Sequence, residues 1–150
     1  MQEVFSYEAL RQQAGKWMEE GFHCSQCVFP YLAQRQGVDK ALALRLSAGL
    51  GGGCFHGELC GAVSGAILAL GTAYGFDQPD KAQDEILIEK VREFERQFLQ
   101  EHGSLLCRQL LGGYDKAYPG VEIPVSAYDN CAKYCADACR IALQLTEPQA

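Results

Sequence analysis

The chain has 150 residues, 48% of them apolar, and a formal net charge of -6 at pH 7. That is room for one domain with a real core, so the eight cysteines are not needed as cross-links in the way they are in very small secreted domains. The acidic balance, with no local cluster of Lys and Arg, excludes nucleic acid as a natural partner.

The opening residues MQEVFSYEALRQQ show no basic start followed by an apolar run. No secretory leader is therefore expected, and a cytoplasmic setting with reduced or metal-bound thiols is. Ser6 is positioned to cap a first helix to about Glu20, with Leu10, Ala14, Trp17 and Met18 at helical spacing and Gly21 at its end. A second helix spans Cys24 to Gln36, and Pro30 is expected to kink it or confine it to one side. Asp39 caps a third, ALALRLSAGL, which runs into Gly51, Gly52 and Gly53.

Next comes CGAVSGAILALGTAYG, expected as a central buried helix. Its stretch Ala62 to Tyr74 is too short for a membrane span, which takes about 20 residues. Gly61, Gly65 and Ala69 make a small-residue face for close helix packing, either within the chain or against a second copy in a homodimer. Asp80 to His102 reads as a long amphipathic helix stopped by Gly103. Its acidic run, including Glu89 and Glu93 beside Arg92 and Arg96, is expected to be a solvated face and not a carboxylate metal site. Ser104 reads as the cap of a short helix, SLLCRQLL. Gly112 to Ala127 is loop-like, with VEIPVS the one stretch that could pair briefly as strand, and a last helix runs from about Asp129 to Leu145. The fold class expected is all-α, a compact bundle of six to seven helices in a single domain.

This map places Cys24, Cys60, Cys107 and Cys131 in or near the first turn of four different helices. Unpaired N–H groups and a partial positive charge at a helix start favour thiolate, the species that attacks disulfides and binds iron or zinc. Four such starts converging would make a four-thiolate site with donors to sulfur. Cys24-Ser-Gln-Cys27 is a CxxC at a helix start, without the βαβ context of a thioredoxin. Cys131, Cys135 and Cys139 lie at i, i+4 and i+8 on one drifting face. Cys54 and Cys60 flank His56 in a glycine-rich loop. His56 reads as a solvated loop residue or a fifth ligand; His23 reads equally as a helix cap or as a partner of the Cys24 thiolate. Cys27, Cys54, Cys135 and Cys139 are secondary candidates as ligands, and buried apolar packing is the competing reading for each.

Cys24, the CGAVSG of Cys60 to Gly65, the CRQLLG that begins at Cys107, and Cys131 together resemble the redox-active protein family named for its pattern of C, GCAxxG, C and C. The resemblance runs from about Trp17 to Leu145. It implies a small prokaryotic redox protein whose four characteristic cysteines fall on Cys24, Cys60, Cys107 and Cys131. A related domain occurs in split-Soret cytochromes with an iron-sulfur centre, so cluster binding is implied as well. Cys27, Cys54, Cys135 and Cys139 depart from the pattern by addition.

The function expected is therefore a small redox-active protein that binds an iron-sulfur cluster through those four cysteines, as electron carrier or oxidoreductase. Its counterpart would be a redox partner protein or a small-molecule oxidant or reductant. The alternatives are metal-free thiol-disulfide exchange through Cys24 and Cys27, and a structural zinc module. Zinc modules usually draw ligands from paired CxxC knuckles, and only one CxxC is present.

Overall fold

The computed structural model describes residues 4–113 and 125–147. Among the described residues seven α-helices follow in order: α1 Tyr7–Glu20, α2 Cys24–Arg35, α3 Lys40–Ala48, α4 Gly61–Tyr74, α5 Lys81–His102, α6 Cys107–Leu110 and α7 Cys131–Thr146. The fold is all-α, as expected. Among the described residues the only β pairing is a single bridge between Leu59 and Leu106. Most of VEIPVS lies outside the described residues, and Val125 and Ser126 belong to a short 3-10 turn. No helix among the described residues is long and apolar enough to cross a membrane.

Three helix starts follow directly from side-chain chemistry. The side-chain oxygens of Ser6, Asp39 and Asp80 accept the N–H groups of Ala9, Leu42 and Gln83, each satisfying a donor left orphaned by the helix start. Gly21 and Gly103 end α1 and α5 in the left-handed conformation that side chains resist.

Two expectations are corrected. Pro30 does not divide α2, which continues through it with the ring buried, so packing on all sides outweighs the missing hydrogen bond. Ser104 does not begin α6. Its Oγ accepts from the Leu106 N–H at 3.0 Å while Leu106 pairs with Leu59, and the helix starts only at Cys107.

Helix α2 is the centre of the bundle, packed by α4, α3, α7 and α1. The glycine face of α4 is what lets α2 approach. A Cβ on Gly61 would stand 3.0 Å from the Ser25 backbone nitrogen, and one on Gly65 would stand 3.1 Å from the Ser25 carbonyl oxygen and 3.2 Å from Val28 Cβ. The small-residue face is thus filled within the chain, which removes the ground on which a homodimer was expected. Ser25, fully buried, donates to the Ser47 carbonyl at 2.6 Å and fastens α2 to the end of α3. The middle of α5 is solvated as expected, with an ion pair of Glu93 and Arg96 at 2.7 Å, three residues apart, whereas at its end Glu101 is paired with Arg140 of α7 at 2.6 Å.

A candidate four-thiol centre

Between the end of α3 and the start of α4 the chain makes an unusual reversal. Gly52, Gly53, Cys54 and Phe55 are four consecutive residues with positive φ, two of them not glycine. Each non-glycine residue there costs about 1–2 kcal/mol. The reversal returns Glu58 to within 2.4 Å of where a Gly53 Cβ would be. It also lays residues 58–60 against 105–107. The Cys60 N–H donates to the Leu105 carbonyl at 2.8 Å, and the Cys107 N–H donates to the Glu58 carbonyl at 2.7 Å. Arg108 adds an ion pair to Glu58 at 2.7 Å.

The starts of α4 and α6 are thereby held side by side. Cys60 is the N-cap residue of α4, where the backbone amides of Ala62 and Val63 pull its thiol toward the charged form without a side-chain capping bond. Cys24, Cys107 and Cys131 are the first residues of α2, α6 and α7. All four line one cavity of about 560 Å³, walled also by Met18, His23, Gly61, Leu110, Tyr128 and Tyr134. A larger groove of about 720 Å³ between α1, α2 and α3 contains no cysteine, so size alone does not single out the chemistry.

The cavity is thiol-rich and half open to solvent, with its sulfurs set back from the surface. Cys60, Cys107 and Cys131 are buried and Cys24 is half-buried. Cys24 and Cys131 are hydrogen-bond partners through their sulfurs, and the Cys24 thiol lies 3.9 Å from Met18 Sδ. Among the described residues no three cysteine sulfurs lie within 4.8 Å of one another.

The other four cysteines stand outside this cavity. Cys135, fully buried behind it, contacts the sulfurs of Cys24 and Cys27 and lies 3.7 Å from the Cys24 carbonyl. Cys27 points at the Ala14 carbonyl and Cys139 is enclosed in the core. Cys54 and His56 are exposed on the reversal, with His56 Nδ1 3.1 Å from the Cys54 carbonyl, which fits the solvated-loop reading of His56. His23 is the N-cap residue of α2, its own N–H bonded to Gln26 Oε1 and its ring packed under Phe55.

The expectation that helix starts alone would favour thiolate is corrected. Burial, then the charge of Cys24, push the Cys60 thiol up from 9.0 to about 12, against the pull of the Ala62 and Val63 amides. Cys131 is also raised, first by its hydrogen bond with Cys24, then by burial and the neighbouring thiols. At Cys60, burial and then the neighbouring thiol charge disfavour the bare thiolate more than the Ala62 and Val63 amides favour it.

Met18 is legible in the sequence only as an apolar helix position, and Tyr134 is not singled out there at all. Tyr134, three residues after Cys131, shares its face of α7, and that spacing is the one signal that could have placed it at the site.

One family model matches residues 22–145, that of the family described as "Putative redox-active protein (C_GCAxxG_C_C)". The chain belongs to this family. The matched span contains all eight cysteines, the four that line the cavity among them. Neither a curated protein nor a solved structure matches the chain.

Proposed function

We propose that this redox-active family member binds an iron-sulfur cluster through Cys24, Cys60, Cys107 and Cys131 and uses it for electron transfer or redox chemistry. The observation that carries the reading is four thiols, delivered by the starts of four separate helices, facing one cavity. The donor set is all sulfur, which suits iron-sulfur clusters and other thiophilic metals. Raised thiol pKa values support it too: the pocket is poor at holding bare thiolates, and a bound cation supplies the missing positive charge while the protons leave.

Zinc is the less favoured occupant because structural zinc sites usually draw their ligands from paired CxxC knuckles, and the sequence has one CxxC. A cluster, when bound, would supply one-electron exchange, which thiol-disulfide chemistry does not. The chain's own part is to hold the sulfurs, to set the Ala62 and Val63 amides near Cys60, and to wall the cavity with Met18, Leu110 and Tyr134.

The second reading is metal-free thiol-disulfide exchange. The contact of Cys24 with both Cys131 and Cys135 favours it, and makes these, beside Cys27, the partners to consider for Cys24. Protein purified without oxygen decides between the readings through its visible spectrum with iron, zinc and acid-labile sulfide assayed on the same sample. Broad visible absorption with matching iron and sulfide is expected. A colourless sample that stays free of iron and sulfide after reconstitution contradicts the cluster, leaving thiol exchange if zinc is absent and a structural metal site if zinc is present.

A further inference from the structure

The geometry points to a second, sulfur-free metal site, formed by Glu101 and His102 at the C-terminal end of α5 with Asp137 of α7, that takes one divalent first-row cation. None of these three residues lines the thiol cavity, and the inference stands whether or not the thiols hold a cluster.

His102 Nε2 lies 2.9 Å from Asp137 Oδ2 and 3.8 Å from Glu101 Oε2, and the three donor atoms fall within 4.8 Å of one another. Ligands ~2.0–2.2 Å from a shared ion stand about 3.0–3.8 Å apart when adjacent around it, and the separations of 2.9 Å and 3.8 Å sit at the two ends of that range.

The imidazole supplies the independent observation. Its side chain is only 7% exposed, yet Nε2 has no hydrogen-bond partner. The 2.9 Å approach to Asp137 has the length of a hydrogen bond without the alignment of one. A buried ring nitrogen left in that condition is unfavourable and uncommon, and a cation shared with the two carboxylates satisfies it.

The surrounding charges leave room for a cation. Arg140 Nη2 is 2.6 Å from both oxygens of Glu101 and 3.6 Å from Asp137 Oδ1, so Asp137 turns its other oxygen, Oδ2, toward His102. The Tyr7 hydroxyl is also bonded to Asp137. Two carboxylates against one guanidinium keep an excess negative charge, and an entering ion shares Glu101 with Arg140. Glu101, about one-third exposed, is the way in from solvent.

One nitrogen and carboxylate oxygens suit a harder ion than thiolates do, so Mn2+ discriminates this site from the sulfur pocket. An ion here would pin α5 to α7 next to Tyr134, whose ring is 4.9 Å from that of His102 and which forms part of the cavity wall.

The test uses the full reduced chain titrated with Mn2+ alone. Loss of the free-ion EPR signal is expected to saturate at one ion per chain, and the His102 imidazole resonances are expected to broaden before those of His23 and His56. Glu101→Gln, at a partly exposed position that leaves no buried hole, is expected to weaken binding roughly tenfold or more, and Asp137→Asn to weaken it further. An undiminished free-ion signal at millimolar Mn2+, equal binding by both variants, or first broadening at His23 or His56 overturns the site.

Discussion

Cys60 and Cys107, 47 positions apart in the chain, are neighbours because each donates its backbone N–H into the strand-like segment that carries the other, at 2.8 Å and 2.7 Å. The left-handed reversal at Gly52–Phe55 makes that exchange reachable.

Gly53→Ala is therefore expected to damage the thiol centre more than the bundle. The added Cβ would meet the Glu58 backbone at 2.4 Å from a residue with φ of 63°, a conformational cost of about 1–2 kcal/mol before the clash is counted. Far-UV circular dichroism should retain its helix signal while metal retention falls. Unchanged metal content would show that the reversal does not position Cys60.

Gly65→Leu is expected to act on the whole fold. Even a methyl group would press on the Ser25 carbonyl and on Val28, and a leucine cannot be accommodated without separating α2 from α4. Overpacking of this kind costs about 1–3 kcal/mol or more and should lower the thermal midpoint by several degrees. An unshifted melting curve would contradict the close approach of the two helices.

The reduced, metal-free protein should lose stability as pH rises from about 9 toward 12. The Cys60 thiol keeps its proton in the folded chain up to about 12, whereas in the unfolded chain it titrates near its ordinary 9.0. Between those values the folded state binds more protons than the unfolded state, so stability is full below the lower value and falls through the window. Denaturant melts at several pH values should show the decline, smaller in Cys60→Ala. A fall of equal size in that variant would assign the effect to other groups.

Metal binding at neutral pH should release protons, because thiols held above their ordinary pKa must lose them to become ligands. Calorimetry in buffers of different ionisation enthalpy measures the number directly. Binding heats independent of buffer would mean that the thiols are not the ligands.

Local order is legible in this sequence where one side chain decides it. Ser6, Asp39 and Asp80 announce their helices because a cap needs only a bond three residues on. Ser104 misleads for the same reason: its hydroxyl makes a local bond, but the pairing of Leu59 with Leu106, set by residues far upstream, keeps Leu106 extended and delays the helix to Cys107. The four helix-start cysteines can be read one at a time, while their shared cavity depends on how four helices pack. Glu101, His102 and Asp137 carry no spacing signal at all, since two are adjacent on one helix and the third lies 35 positions on. The raised thiol pKa values are also collective, arising from burial and neighbouring sulfurs that the local sequence does not contain.

The most direct measurement is iron and acid-labile sulfide per chain, after anaerobic reconstitution, in eight single Cys→Ala variants beside the unsubstituted protein. The account predicts that the unsubstituted protein carries matching iron and sulfide, that substitution of Cys24, Cys60, Cys107 or Cys131 removes most of both, and that Cys27, Cys54, Cys135 and Cys139 are dispensable as ligands. Loss that follows the second group in place of the first, or an unsubstituted protein that takes up neither element, would contradict it.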